Sequence, residues 1–361
     1  MCYKKFFIFK ILLISSQCVC AYEKDIPKVL PEWSVKIIAE NPNIMDPVSF
    51  ALDEKERIYV CESFRQEKGV EDNRTSSFWL DDDLSNNTNK DRLEMYLKYS
   101  DKRQNGMSYY QSNAGQIRRL LDIDGDGFYE KVEMYAGGFN GILDGTIAGV
   151  ISSGGKTWIA NIPNLWQVQD LDNDGIAEKR EVLHNGFGVR IALRGHDLHG
   201  LTWGPEGRLW FSIGDRGYHV ESYEGKVLQD PRSGAIFRCE PDGSNLEVYS
   251  RSLRNPQEIA FDIYGNLITG DNNSDAGDKA RIVYVVEEGE SGWAMEYQTL
   301  EGENQRGPWN QEKLWETKFD GQAAWILPPI AHLGSGPSGI VFEPGVDLRE
   351  KFKNKFFLCD F

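Results

Sequence analysis

One short pattern recurs along the chain: an apolar segment, a turn built on Asp, Gly or Pro, and a second apolar run. Ser49-Phe50-Ala51-Leu52-Asp53 leads into Arg57-Ile58-Tyr59-Val60. Leu201-Thr202-Trp203, through Gly204 to Gly207, leads into Arg208-Leu209-Trp210-Phe211. Ile259-Ala260-Phe261-Asp262 leads, past Gly265, into Asn266-Leu267-Ile268-Thr269. Lys156-Thr157-Trp158-Ile159-Ala160 and Lys355-Phe356-Phe357-Leu358 read as further copies of the second half. These second runs centre near residues 59, 158, 209, 267 and 357. Intervals of 51 and 58 residues have the size of a propeller blade, and the interval of 99 is about two blades. A hairpin repeated at that spacing predicts an all-β chain folded as a β-propeller. A sandwich has no reason to repeat one hairpin at a fixed interval.

The rest of the organisation fits one domain over residues 22–361. Residues 1–21 read as an export signal, with Lys4 and Lys5 before an apolar run and Val19 and Ala21 at the positions a cleavage site needs. That run is too short to span a bilayer. The expected location is periplasmic or extracellular. Residues 66–113 are polar and read as an insertion between sheet elements, with a helix over about 89–100 where Leu93, Tyr96 and Leu97 recur at helical spacing. Cys61, Cys239 and Cys359 follow the signal, an odd and widely spaced set that makes no disulfide scaffold. The net charge of −16 argues against a nucleic-acid partner, which needs clustered Lys and Arg.

Part of that acidity is concentrated in two loops. Asp122, Asp124 and Asp126 precede Gly127, with Phe128, Glu130 and Glu133 following; Asp170, Asp172 and Asp174 precede Gly175, with Ile176, Glu178 and Glu181 following. Both match D-x-D-x-D-G-x5-E. Ca²⁺ takes six to eight oxygens, and this pattern supplies carboxylates at positions 1, 3 and 5, a backbone carbonyl at 7 (Phe128, Ile176) and a glutamate at 12 (Glu133, Glu181). Two matches 48 residues apart, at the blade period, are hard to attribute to chance. The flanks are strand-like, so calcium-pinned turns are expected instead of a helix–loop–helix sensor.

A second constellation gathers histidine, carboxylate and arginine. Arg194-Gly195-His196-Asp197-Leu198-His199-Gly200 runs on to Gly214-Asp215-Arg216-Gly217. Downstream lie Arg254-Asn255-Pro256-Gln257 and a loop rich in Asp and Asn from Asp271 to Asp278. A histidine oriented by a carboxylate suits proton abstraction, and a nearby arginine suits a developing oxyanion or an anionic cofactor. From spacing alone, satisfied structural groups in blade loops explain these residues slightly better.

Residues His196 through Gly217 and Arg254 through Trp293 resemble the soluble quinoprotein glucose/sorbosone dehydrogenases. The whole chain resembles more closely still the propeller of the "membrane-bound dehydrogenase domain" proteins of planctomycete-type bacteria. The resemblance implies a six-bladed propeller that binds pyrroloquinoline quinone (PQQ) and Ca²⁺. It implies hydride transfer from an aldose or related alcohol to the quinone, with a c-type cytochrome as electron acceptor. His196 then falls on the base, and Asp215, 19 residues on, on its partner; His199 is the second candidate. Arg254 falls beside the quinone and substrate oxygens, Asn255 on a quinone contact, and Glu62 on the pocket wall. Asp271 and Asn272 fall where backbone carbonyls hold the catalytic Ca²⁺, with Asp278 in the same loop. Here the family's Gly-Pro is replaced by acid and amide. The family's later Lys and Arg, which neutralise the PQQ carboxylates, lie near or past Phe361, and the sequence stops inside what reads as a blade. The alternative is a non-catalytic, calcium-stabilised propeller that binds carbohydrate or a protein partner, for which ten Trp and fifteen Tyr are suitable stacking surfaces. A hydrolase ranks last, since no G-x-S-x-G is present.

Overall fold

The computed structural model describes residues 28–31, 33–322, 326–346, 348 and 350–360. The expected signal at 1–21 lies outside them. Four sheets, antiparallel apart from one short edge strand, follow one another along the chain. The first is β1 (Pro47–Leu52), β2 (Ile58–Glu62), β3 (Gly115–Leu121) and β4 (Lys131–Phe139), and the second is β5 (Ile147–Ser153), β6 (Lys156–Asn161), β7 (Asn164–Gln169) and β8 (Lys179–Asn185). The third contains β9 (Leu198–Trp203) and β10 (Leu209–Ile213), then, after a separate hairpin of β11 (Tyr218–Glu221) and β12 (Val227–Asp230), β13 (Gly234–Cys239) and β14 (Glu247–Leu253). The fourth contains β15 (Ile259–Phe261), β16 (Leu267–Asp271) and β17 (Arg281–Val285). Next β18 (Gly289–Glu290) returns to the edge of β14 before β19 (Pro329–His332) completes that fourth sheet. A final pair, β20 (Pro337–Glu343) and β21 (Lys355–Asp360), packs against β15 and β16.

Each sheet is a propeller blade. The first strands β1, β5, β9, β15 and β20 touch one another in succession and line the axis. The second strands β2, β6, β10, β16 and β21 are the five runs that the repeated pattern marks. The 99-residue interval is a correction to the blade count. It spans one blade, because residues 63–114 separate β2 from β3 within the same sheet. That stretch carries α1 (Leu80–Ser85) and α2 (Asn89–Lys98). The N-terminus of α2 is closed by a capping box between Thr88 and Asp91.

Packing explains why the second strands are the most legible. Strand β10 is buried along its whole length, as are β2 and β16. Alternate residues face opposite blades, so both must be apolar. In β6, Trp158 and Ala160 join the core shared with the third blade, while Ile159 joins the core shared with the first. Trp210, Ile259, Leu267 and Val283 form the core between the third and fourth blades. Truncating a core aromatic such as Phe211 to alanine would cost about 3–5 kcal/mol. No helix of the described residues is long and apolar enough to cross a membrane.

Candidate active site and acidic loops

Every first strand starts, and every second strand ends, on the same face of the ring. That topology collects Glu62, His196, Asp215, Arg254, Asn255 and Asp271 on one face from three blades, although up to 209 residues separate them. His196 precedes β9, and Asp215 follows β10 in the same blade. Their side chains meet, His196 Nδ1 to Asp215 Oδ1, at 2.6 Å, both essentially buried. The close approach demands glycine between them: a Cβ on Gly214 would sit 2.7 Å from both His196 Cβ and Asn255 Oδ1. The other Asp215 oxygen accepts the indole N–H of Trp293 at 2.8 Å. Burial pushes the Asp215 carboxyl up, but the charge and hydrogen bond of His196, the Arg254 guanidinium and the Trp293 N–H outweigh it and hold the carboxyl below its ordinary range. An ionised Asp215 accepts the Nδ1–H of His196, so in the neutral ring it is Nε2 that carries the lone pair.

His199 has both nitrogens engaged, Nδ1 with Ser212 Oγ at 3.1 Å and Nε2 with Asn255 Oδ1 at 3.1 Å. Burial pushes its imidazolium down to about 4, so it is neutral at physiological pH. Asn255 also donates from Nδ2 to the Gly195 carbonyl at 3.1 Å, which ties the loop before His196 to the fourth blade.

Arg254 is 2% exposed. Its Nη2 donates to Asp275 Oδ2 at 2.8 Å and Gln298 Oε1 at 3.2 Å, and its guanidinium lies 5.6 Å from the Trp293 ring centre. Nε and Nη1 have no partner. Asp271 holds this segment in place. It accepts the backbone N–H of Arg254 at 3.0 Å and of Asn255 at 2.8 Å, and pairs with buried Arg281. Asn272 Oδ1 accepts the N–H of Asn273 at 2.9 Å, while Asp278 accepts Ser274 N at 2.9 Å, Ser274 Oγ at 2.7 Å and Trp309 Nε1 at 2.9 Å. These carboxylates serve as backbone and indole acceptors. Glu62 is fully buried and accepts Met45 N, Gln116 Nε2 and Arg118 Nε at 2.7, 2.6 and 2.9 Å.

Sequence reasoning missed several groups here. Trp293 completes the Asp215 hydrogen bonds, and Asp275 and Gln298 hold Arg254. Asp197 is fully buried and lies 3.6 Å from the Arg216 guanidinium. The insertion also reaches this face. Asp72 accepts Arg194 N at 3.0 Å, Asn73 N donates to Ala192 O at 3.0 Å, and buried Asp83 accepts Ile191 N at 2.7 Å. It therefore clamps the segment that delivers His196. No signal in the sequence connects residues 72–83 to 191–194.

The two acidic loops lie apart from this face, between β3 and β4 and between β7 and β8. Among the described residues, carboxylates converge in Asp122, Asp124 and Glu130, and in Asp170, Asp172, Asp174 and Glu178, with ligand atoms within 4.8 Å of one another. Thus the ninth-position glutamates turn inward. Asp126 Oδ1 accepts Phe128 N at 2.7 Å. Strand pairing explains the twelfth position: Glu133 is in register opposite Arg119, and Glu181 opposite Gln167.

None of the curated proteins matches the chain. The PQQ-bound aldose sugar dehydrogenase of Streptomyces coelicolor is similar at 14% identity, covering 88% of this chain and 81% of that one, with a TM-score of 0.44. A glucose dehydrogenase is similar at 13% identity over 69% and 76% of the two chains, TM-score 0.47. The apo-form soluble aldose sugar dehydrogenase of Escherichia coli is similar at 14% identity over 70% and 77%, TM-score 0.40. A family model matches residues 24–360, and the chain belongs to that family, described as "Domain of unknown function (DUF7133)".

Proposed function

We propose that this is an exported, calcium-dependent propeller dehydrogenase of the PQQ type, a six-bladed ring that oxidises a sugar or related alcohol. The observation that carries the proposal is the buried His196–Asp215 pair with Arg254 beside it. His196 Nε2 takes the proton of a substrate hydroxyl, Asp215 stabilises the imidazolium that results, and Trp293 keeps Asp215 aligned. The donor set fits an anionic quinone: Arg254 is buried with two donor nitrogens unspent, Nε and Nη1, each costly to leave unpaired. Bound PQQ would supply the two-electron acceptor, held at Arg254, with Asn255 buttressing the histidines. Calcium would occupy the two acidic loops, and a c-type cytochrome would take up the electrons in a periplasmic or extracellular setting. The test is titration of PQQ into the full chain with Ca²⁺, followed by absorbance, for wild type and Arg254→Leu. Saturable binding weakened about tenfold or more by the variant is expected from losing charge-assisted hydrogen bonds. Absence of a PQQ response, with binding of glycans instead, would replace this reading by a non-catalytic carbohydrate-binding one.

A further inference from the structure

The twelfth-position glutamate of the first acidic loop lies against the second. A Cβ on Gly175 would come within 2.8 Å of Glu133 Oε2, and Gly175 has a φ of 102°. Arg119 joins the two loops. Its Nε donates to Glu133 Oε2 at 2.6 Å and its Nη1 to Asp170 Oδ2 at 3.0 Å, with the Arg119 and Asp170 side chains each 5% exposed. Lys131 holds the other Glu133 oxygen at 2.7 Å. The seam continues in main-chain bonds: Ala177 N donates to Tyr135 O at 2.8 Å, and Arg180 Nη1 to Gly137 O at 2.7 Å.

The loops differ in what they leave unsatisfied. In the first, both Asp122 oxygens accept backbone N–H groups, from Gly125 and Gly127 at 2.7 Å each. In the second, Asp170 Oδ1 is buried with no partner, in a residue whose carboxylate converges with Asp172, Asp174 and Glu178. A buried carboxylate oxygen without a donor carries a desolvation cost that a hard cation would remove.

We propose that the second loop is the primary divalent-cation site, and that the ion held there clamps the first blade to the second through Arg119 and Glu133. This deepens the calcium part of the proposed function and is independent of the dehydrogenase chemistry. Calorimetric titration of the full chain with Ca²⁺ tests the ranking. Asp172→Asn should weaken the tighter phase about tenfold or more, while Asp124→Asn leaves it within about twofold, since affinity follows ligand charge count. Hydrogen exchange tests the clamp. Ca²⁺ should slow amides in both β3–β4 and β7–β8 of the wild type, and Glu133→Gln should confine that protection to β7–β8. Loss of the tighter phase in Asp124→Asn, or wild-type protection limited to the second blade, overturns the inference alone. Absence of any Ca²⁺ binding overturns the calcium reading with it.

Discussion

Replacing Asp271 by alanine separates two roles for this side chain, structural anchor and metal ligand. Its carboxylate is fully buried and holds the N–H groups of Arg254 and Asn255 together with the guanidinium of Arg281. Arg281 is itself buried, its Nε and Nη1 have no partner, and its remaining support is the Trp309 ring, 4.5 Å from the guanidinium carbon. Removing the carboxylate strands that charge, at about 3–5 kcal/mol. Two backbone donors also lose their acceptor, at about 1 kcal/mol each. The parts overlap, so a loss of roughly 4–6 kcal/mol is expected, a large share of the 5–15 kcal/mol typical of folded domains. Asp271→Asn keeps an acceptor and should lose about half as much. Urea unfolding followed by circular dichroism, in Ca²⁺ and in chelator, measures both. Equal losses under the two conditions are expected, because the side chain is spent on protein groups. A loss below about 1 kcal/mol, or one seen only with Ca²⁺, would refute the anchoring role.

Glu258 lines a groove of about 280 Å³ between β9, β15 and β20, and burial pushes its carboxyl up from 4.5 to about 8. The folded state keeps a proton that the unfolded chain has lost, so stability should fall as pH rises from about 4.5 to 8 and then level off. Glu258→Gln should abolish that slope in thermal melts, and an unchanged slope would sink the assignment. Chelation should lower the melting temperature by several degrees, since ligand at about 100 times its Kd stabilises by about 2.7 kcal/mol; an unmoved transition in EGTA excludes structural calcium. Trp293→Phe should reduce turnover of the PQQ-loaded protein about tenfold, the worth of one hydrogen bond to a charged group. Full turnover would remove Trp293 from the site.

Much of the fold was legible because the second strands β2, β6, β10 and β16 are buried on both faces and therefore mostly apolar. Trp158-Ile159-Ala160 and Leu209-Trp210-Phe211 read plainly for that reason. The first strand of the first blade, whose Val48, Phe50 and Leu52 are exposed, reads less clearly, and the insertion after β2 turned one blade into an apparent two. The His196–Asp215 spacing was readable through the family resemblance, since both residues flank one hairpin. Their supports were not: Trp293 reaches Asp215 across 78 residues, and Asp83 reaches Ile191 across 108. Such contacts follow from how the blades sit against one another, which local pattern does not encode. The ligand set of the acidic loops was only partly readable. The motif assumes a helix after the loop, whereas here a strand begins at Lys131 and its pairing sets Glu133 opposite Arg119.

The most direct test is dye-linked oxidation of aldoses by the full chain supplied with PQQ and Ca²⁺, comparing wild type with His196→Ala. The expected result is turnover by the wild type and a loss of about 10²–10⁴-fold in the variant, the usual worth of a general base, with the fold retained by circular dichroism. A wild type that binds PQQ yet turns over no sugar or alcohol, or a variant that keeps its rate, would contradict the role assigned to His196.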